Sequence, residues 1–367
     1  MFKQISLLVF LTLISCSKNY PAGDYSAQEK PTICNSELKR VSEIRKLAWL
    51  EPVKCLQLRA EDFARRLRKS IAERNTQERL EREAEIYRFL GAIPLGFNYP
   101  GDYLKSIEAS ALGFYDSRSK DLVVKNLIDQ DSSSPSLAAD QVAVVRHELT
   151  HGLQDQHFVV DNIISDKISI DMQLAREALL EGDAMWTMVR AEGKDPCPVG
   201  LIGQQILWLN DTLTEQDSIP PTLKILSQFP YAFGLVYVCN LRSQGGVELL
   251  NRKFREPPTK SQEIIAKGMP QKSISEPNPA SLGAGFVTSL LGPTQGISQA
   301  LVLARKLTDD RIFLEPKKAL TWTLEWQTED AARRALNAFV KYFENNRNAA
   351  CTVTSEGTTL VCRCSQP

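Results

Sequence analysis

The sequence predicts an α+β fold that is mainly α-helical, with a small antiparallel sheet and a C-terminal segment of strand, helix and hairpin. Three observations carry that expectation. Apolar residues recur at helical spacing through most of residues 36–90 and 137–305, with Pro and Gly as punctuation. Two-residue alternation is confined to short stretches, which suits a small sheet. The three histidines of the 367-residue chain, His147, His151 and His157, all fall in one apolar helical stretch.

The charge balance narrows the classes of partner. With 44 basic and 44 acidic residues there is no net field to attract nucleic acid or an anionic membrane surface, so recognition must be local. After the first twenty residues nothing reads as a transmembrane helix. The N-terminus differs: Lys3 precedes an apolar stretch too short to span a bilayer, as in an export signal over residues 1–15. Its end, Leu13-Ile14-Ser15-Cys16, resembles the bacterial lipobox, which implies that Cys16 is lipidated and anchors the chain in the cell envelope. Ser17 in the next position gives no reason to expect retention in the inner membrane. Residues 16–32, polar and carrying two prolines, read as a flexible tether, and residues 33–367 as one domain in which 317–367 is a candidate subdomain.

Helices are expected at 36–50 and 59–90, the second laced with opposite charges in the manner of a solvated face and stopped by Gly91 and Pro94. Strand-forming residues 112–116 and 121–125 flank a turn-like 117–120 and predict a β-hairpin. After a Ser/Pro loop at 132–136 comes the central helix, 137–156, in which Gly152 costs about 1 kcal/mol against Ala and implies close packing. A further helix is expected at 168–190, then runs at 202–213, 222–228, 232–241 and 247–254. Thr259 to Gln262 has the spacing of a capping box. Residues 320–326 alternate strictly as a half-buried strand, and 328–342 form an amphipathic helix.

Removing Cys16 leaves seven cysteines, so at least one stays unpaired within the chain. A hairpin with Glu356-Gly357 as its loop sets Cys351 opposite Cys362 at about 4.5–5.5 Å, which predicts a Cys351–Cys362 bridge. Cys34 and Cys55 can close a second loop, and Cys239 reads as a buried free thiol.

The chemistry centres on His147-Glu148-Leu149-Thr150-His151. Helical positions i and i+4 project side by side, so both imidazoles can reach one ion. Glu148 then lies beside that ion, where a hydrolase needs a base to take a proton from water. Catalytic zinc usually has three protein ligands, and the third should come from a neighbouring helix. Glu177 and Glu181, one turn apart on one face, both qualify by spacing, and Asp155, one turn beyond His151, competes with them.

With these motifs the chain resembles the gluzincin class of zinc metallopeptidases. It is more closely similar to a group of exported bacterial and archaeal proteins carrying H-E-L-T-H-x-L-Q-D-Q-H-F, L-x-E-G-[DE]-A and F-P-Y-x-x-G, found here at 147–158, 179–184 and 229–234. The resemblance runs from about residue 85 to about 345 and implies a zincin-like fold and hydrolysis of a peptide or protein substrate by bound Zn2+. It selects Glu181 as third ligand, leaves Glu177 to pair with Arg176, with Arg190 or with nothing, and makes Asp155 second choice. It places Asp183 where it can accept the second N–H of a ligand histidine, with Gly182 allowing close approach of the two helices. Tyr231 becomes the candidate donor to a tetrahedral oxyanion, and strand 121–125 the candidate partner for extended substrate backbone. The competing reading is a non-catalytic envelope lipoprotein that keeps the fold as a binding or assembly module.

Overall fold

The computed structural model describes residues 32–73, 76–126, 135–165, 168–266 and 280–365. The export signal, Cys16, the tether up to residue 31 and most of the Ser/Pro loop lie outside the described residues. The first helix, α1 (Thr32–Arg45), ends before residue 50 because Lys46 takes a left-handed φ of 58° and the Ser42 hydroxyl donates to the Leu47 carbonyl. The expected helix over 59–90 is two, α2 (Ala60–Ala72) and α3 (Gln77–Phe89). Thr76 divides them by restarting the helix as an N-cap that accepts the Arg79 N–H. The solvated-face reading also fails locally: Glu83 is buried, accepting from Arg79 at 2.9 Å and from the Tyr99 hydroxyl at 3.1 Å.

Strand β1 (Lys54–Leu58), not anticipated from sequence, joins the predicted hairpin of β2 (Gly113–Asp116) and β3 (Asp121–Lys125), with α4 (Gly101–Ser110) leading into it. The sheet order is β1-β3-β2, with β1 parallel and β2 antiparallel to β3. Strand β3 is therefore hydrogen-bonded on both edges and has none free for a substrate backbone, which corrects the expectation for 121–125.

The central layer is helical: α5 (Pro135–Phe158), the single turn α6 (Val160–Ile163), α7 (Ile170–Ala191), α8 (Leu201–Leu213) and α9 (Pro221–Arg255). Three runs expected between 222 and 254 merge into α9, because Pro230 is accommodated inside it; the break falls only at Gly245 and Gly246. Helix α10 (Ser261–Ile265) opens with Glu263, one residue past the expected Gln262, accepting the backbone N–H groups of Thr259 and Lys260.

Helices α11 (Gly283–Gln295) and α12 (Ile297–Ala304) lead to β4 (Leu307–Glu315) and β5 (Ala319–Trp326), then α13 (Glu329–Asn345), β6 (Ala350–Glu356) and β7 (Thr359–Ser365). These strands form an antiparallel sheet in the order β4-β5-β7-β6. As the alternation predicts, β5 turns Leu320, Trp322, Leu324 and Trp326 inward. An aromatic chain from Tyr87 through Phe286 and Trp322 to Phe339, with centroids 5.6, 5.9 and 5.5 Å apart, ties this sheet to α3, α11 and α13. Among the described residues no helix is long and apolar enough to cross a membrane.

The final hairpin corrects the disulfide expectation. Its loop is Gly357-Thr358, with Gly357 at φ 57° in the first loop position, and Glu356 faces Thr359. The register is thus two residues from the one expected, Cys351 faces and bonds Cys364, and Cys362 is the buried free thiol. A shift of two keeps every side chain on its face, which is why hydrophobic pattern alone did not set the register. Cys34–Cys55 forms as expected, but Cys239 is bonded to Cys197, which the loop after α7 brings against α9.

Candidate metal centre

Helix α5 presents His147 and His151 one turn apart toward α7, which supplies Glu181. His147 Nε2 stands 2.9 Å from Glu181 Oε2 and 3.0 Å from His151 Nε2, and His151 Nε2 is 3.5 Å from the same Glu181 oxygen. These residues form a group that can hold a metal ion, and all three are buried, at 1, 0 and 1 % exposure. The three atoms share a centre about 1.8 Å from each, close to the about 2.0–2.2 Å of zinc–imidazole and zinc–carboxylate bonds.

Hydrogen bonding fixes one tautomer. Gln154 Nε2 donates to the Leu180 carbonyl at 3.0 Å and to Asp183 Oδ2 at 3.1 Å, so its oxygen is the atom facing His151. His151 Nδ1 therefore carries the proton and donates to Gln154 Oε1 at 2.8 Å, leaving the neutral ring a lone pair on Nε2. That lone pair faces His147 Nε2 and a carboxylate oxygen, a convergence of acceptors that a cation satisfies. Glu181 Oε1 and His147 Nδ1 are buried without hydrogen-bond partners. The donor set fits a divalent ion with imidazole and carboxylate ligands.

Asp183 acts one residue further out than expected. It does not touch an imidazole; Gln154 stands between it and His151, while Arg45 Nε donates to Asp183 Oδ2 at 2.6 Å. Asp155 is not a ligand. It accepts from the Tyr115 hydroxyl at 3.0 Å, from Lys120 Nζ at 2.5 Å and from the Val160 N–H at 3.2 Å, tying the β2–β3 hairpin to the end of α5. Glu177 lies away from the triad, where its Oε1 accepts from Gln173 Nε2 at 2.7 Å. The Ala48 carbonyl takes up His157 Nε2 at 2.7 Å.

Glu148 is buried on α5, and its Oε2 accepts the Tyr115 N–H at 2.8 Å. Burial raises its pKa, the neighbouring His151 and His147 oppose that, and Glu181 adds to it; the result is above the ordinary carboxylate value. Burial also pushes Glu181 upward, but the neighbouring His151 and the close contacts of both imidazoles outweigh it and hold Glu181 below its usual value. Two adjacent carboxyl groups are thus driven apart, one toward proton uptake and one toward a permanent charge.

The other two motifs meet where α7 crosses α9. A Cβ at Gly182 would lie 2.2 Å from the Gly234 carbonyl, and one at Gly234 would lie 2.1 Å from the Ala178 oxygen. Gly182 therefore admits α9, not α5, which corrects the pair of helices expected to approach there. Tyr231, one turn before Gly234, stacks with its ring centroid 6.1 Å from that of His147. Gly152 sits where a Cβ would meet Trp49 and Tyr115 at 3.3 and 3.4 Å, the close packing expected of it.

Sequence reasoning missed Gln154, Tyr115 and Arg45. Gln154 had a local signal, since i+3 from His151 shares its helix face. Compared with protein-family models, with curated proteins and with solved structures, the chain matches none.

Proposed function

We propose that the chain is a zinc-dependent peptidase with a zincin-like catalytic domain. The observation that supports this best is the buried His147, His151 and Glu181 triangle with Glu148 one residue from the first ligand. Three protein ligands leave a place open for water or substrate, as in catalytic rather than structural zinc sites. Zinc, when bound, supplies a Lewis acid that acidifies water and polarises a carbonyl. Glu148, held by the Tyr115 N–H with its pKa raised, is suited to take a proton and return it to a leaving amine. Asp155, accepting from both the Tyr115 hydroxyl and Lys120 Nζ, holds that donor strand in place. Tyr231, whose ring stacks on that of His147, is the candidate to offer a hydroxyl to developing negative charge.

The test is Glu148→Gln in the full chain. It preserves size and hydrogen bonding capacity, so metal content stays near one per chain while peptide hydrolysis falls by orders of magnitude. Unchanged turnover removes Glu148 as base. A second reading, a non-catalytic envelope module, draws on the near-complete burial of all three ligands. Wild-type protein that binds metal but cleaves no peptide library would favour it. In either reading Cys16 carries acyl chains and anchors the protein in the cell envelope; membrane partitioning retained by Cys16→Ala would reject the anchor.

A further inference from the structure

Behind the metal triad, four helices meet at a cluster with more positive than negative charge. Arg45, the last residue of α1, is 0 % exposed and donates through Nε to Asp183 Oδ2 at 2.6 Å. Arg242 of α9, 12 % exposed, reaches the other oxygen of the same carboxylate, Nη2 to Oδ1, at 3.6 Å. Both Nη nitrogens of Arg45, and Nε and Nη2 of Arg242, are buried without a hydrogen-bond partner. Thr187 Oγ1, one turn along α7 from Asp183, is equally without one.

The charge does not balance internally. One carboxylate stands between two guanidinium groups, and Gln154, which also bonds Asp183, is neutral. Aromatic faces cover the cations, Arg242 at 3.5 Å over Trp186 and Arg45 at 5.5 Å over Phe254, but a ring face offers the in-plane N–H groups no acceptor. Burial pulls the Arg242 guanidinium down to about 10, with Asp183 opposing and Arg45 adding to the fall, so Arg242 stays charged near neutrality. Internal water can satisfy N–H groups but cannot supply the missing unit of negative charge. Buried charges are ordinarily paired, and an unpaired one is strongly destabilising.

We propose that Arg45 and Arg242 hold a small monovalent anion, a halide such as chloride, against Asp183 in the protein interior. A single negative charge closes the balance, whereas a divalent oxyanion would overshoot it. The unpartnered nitrogens supply several buried N–H donors, and Thr187 adds a hydroxyl.

The test compares thermal unfolding of the full chain at constant ionic strength with chloride replaced stepwise by gluconate, which is too large to enter. The expected result is an unfolding temperature that rises with chloride and saturates as for one site. Arg242→Met keeps a long unbranched side chain against Trp186 and removes the excess charge, so it should lose the chloride dependence. Crystals of the full wild-type chain grown with bromide should show an anomalous peak between the two guanidinium groups, a readout that stands even if the variant fails to fold. Unfolding temperatures independent of chloride, dependence retained in Arg242→Met, or a site without anomalous signal would each overturn the proposal.

Discussion

The crossing of α7 and α9 gives the sharpest mechanical prediction, the effect of Gly234→Ala. The added Cβ would lie 2.1 Å from the Ala178 oxygen and 3.0 Å from its carbonyl carbon, about 1.3 Å short of ordinary contact at 3.4 Å. The opposing atoms are backbone and cannot rotate aside, so the helices must separate. Overpacking typically costs ~1–3 kcal/mol, and a clash with rigid backbone belongs at the upper end, about 3 kcal/mol. For a chain of this size that lowers the unfolding temperature by roughly 4 °C. The same displacement carries Tyr231 and Glu181 relative to His147, so metal affinity should fall as well. Calorimetry and metal titration of the purified variant measure both. Gly203→Ala in α8 is the control: a Cβ there meets nothing within 4 Å, and the change should stabilise by up to about 1 kcal/mol. Wild-type stability and metal affinity in Gly234→Ala would refute the close crossing and the role assigned to the third motif.

Two further outcomes follow from buried groups. Cys362 is the unpaired cysteine among those after Cys16, and burial pushes its thiol well above the usual range. In Cys16→Ala protein without reductant, one thiol per chain should react with a thiol reagent only after unfolding; none, or three, would contradict the Cys351–Cys364 pairing. Asp171, raised by burial and by Asp310, is pushed up to about 7, against ~3.9 for an unfolded aspartate. The folded state therefore holds its proton more tightly, so the stability this group contributes is complete below about pH 4 and lost as pH rises through about 7. Asp171→Asn should flatten the decline in urea midpoint between pH 5 and pH 8, and an unchanged slope would clear Asp171 of it.

The central helix and its two histidines were legible because an i,i+4 pair is a local geometric fact. Glu181 was legible only through resemblance, since Glu177 satisfies the same helical spacing and only the packing of α7 on α5 brings Glu181 against both imidazoles. The alternation at 320–326 named the inward residues of β5, yet the register of β6 on β7 slipped by two because either register keeps cysteines on the same face. Strand β1 escaped because its pairing is parallel to a strand more than sixty residues on, with no turn to announce it. Arg45 gave no signal either: its partner Asp183 is 138 residues away. Long-range polar pairs of this kind leave no periodicity in the chain.

Metal analysis of Glu181→Ala and Glu177→Ala beside wild type tests the central claim most directly. Glu181 Oε2 lies within 3.5 Å of both ring nitrogens, while Glu177 bonds Gln173 outside the triad. Wild type and Glu177→Ala should each carry one zinc per chain after dialysis, and Glu181→Ala should carry none, with competing chelator ranking the affinities. A wild-type chain that takes up no zinc on refolding with it, or a Glu177→Ala variant that loses metal while Glu181→Ala keeps it, would contradict the site.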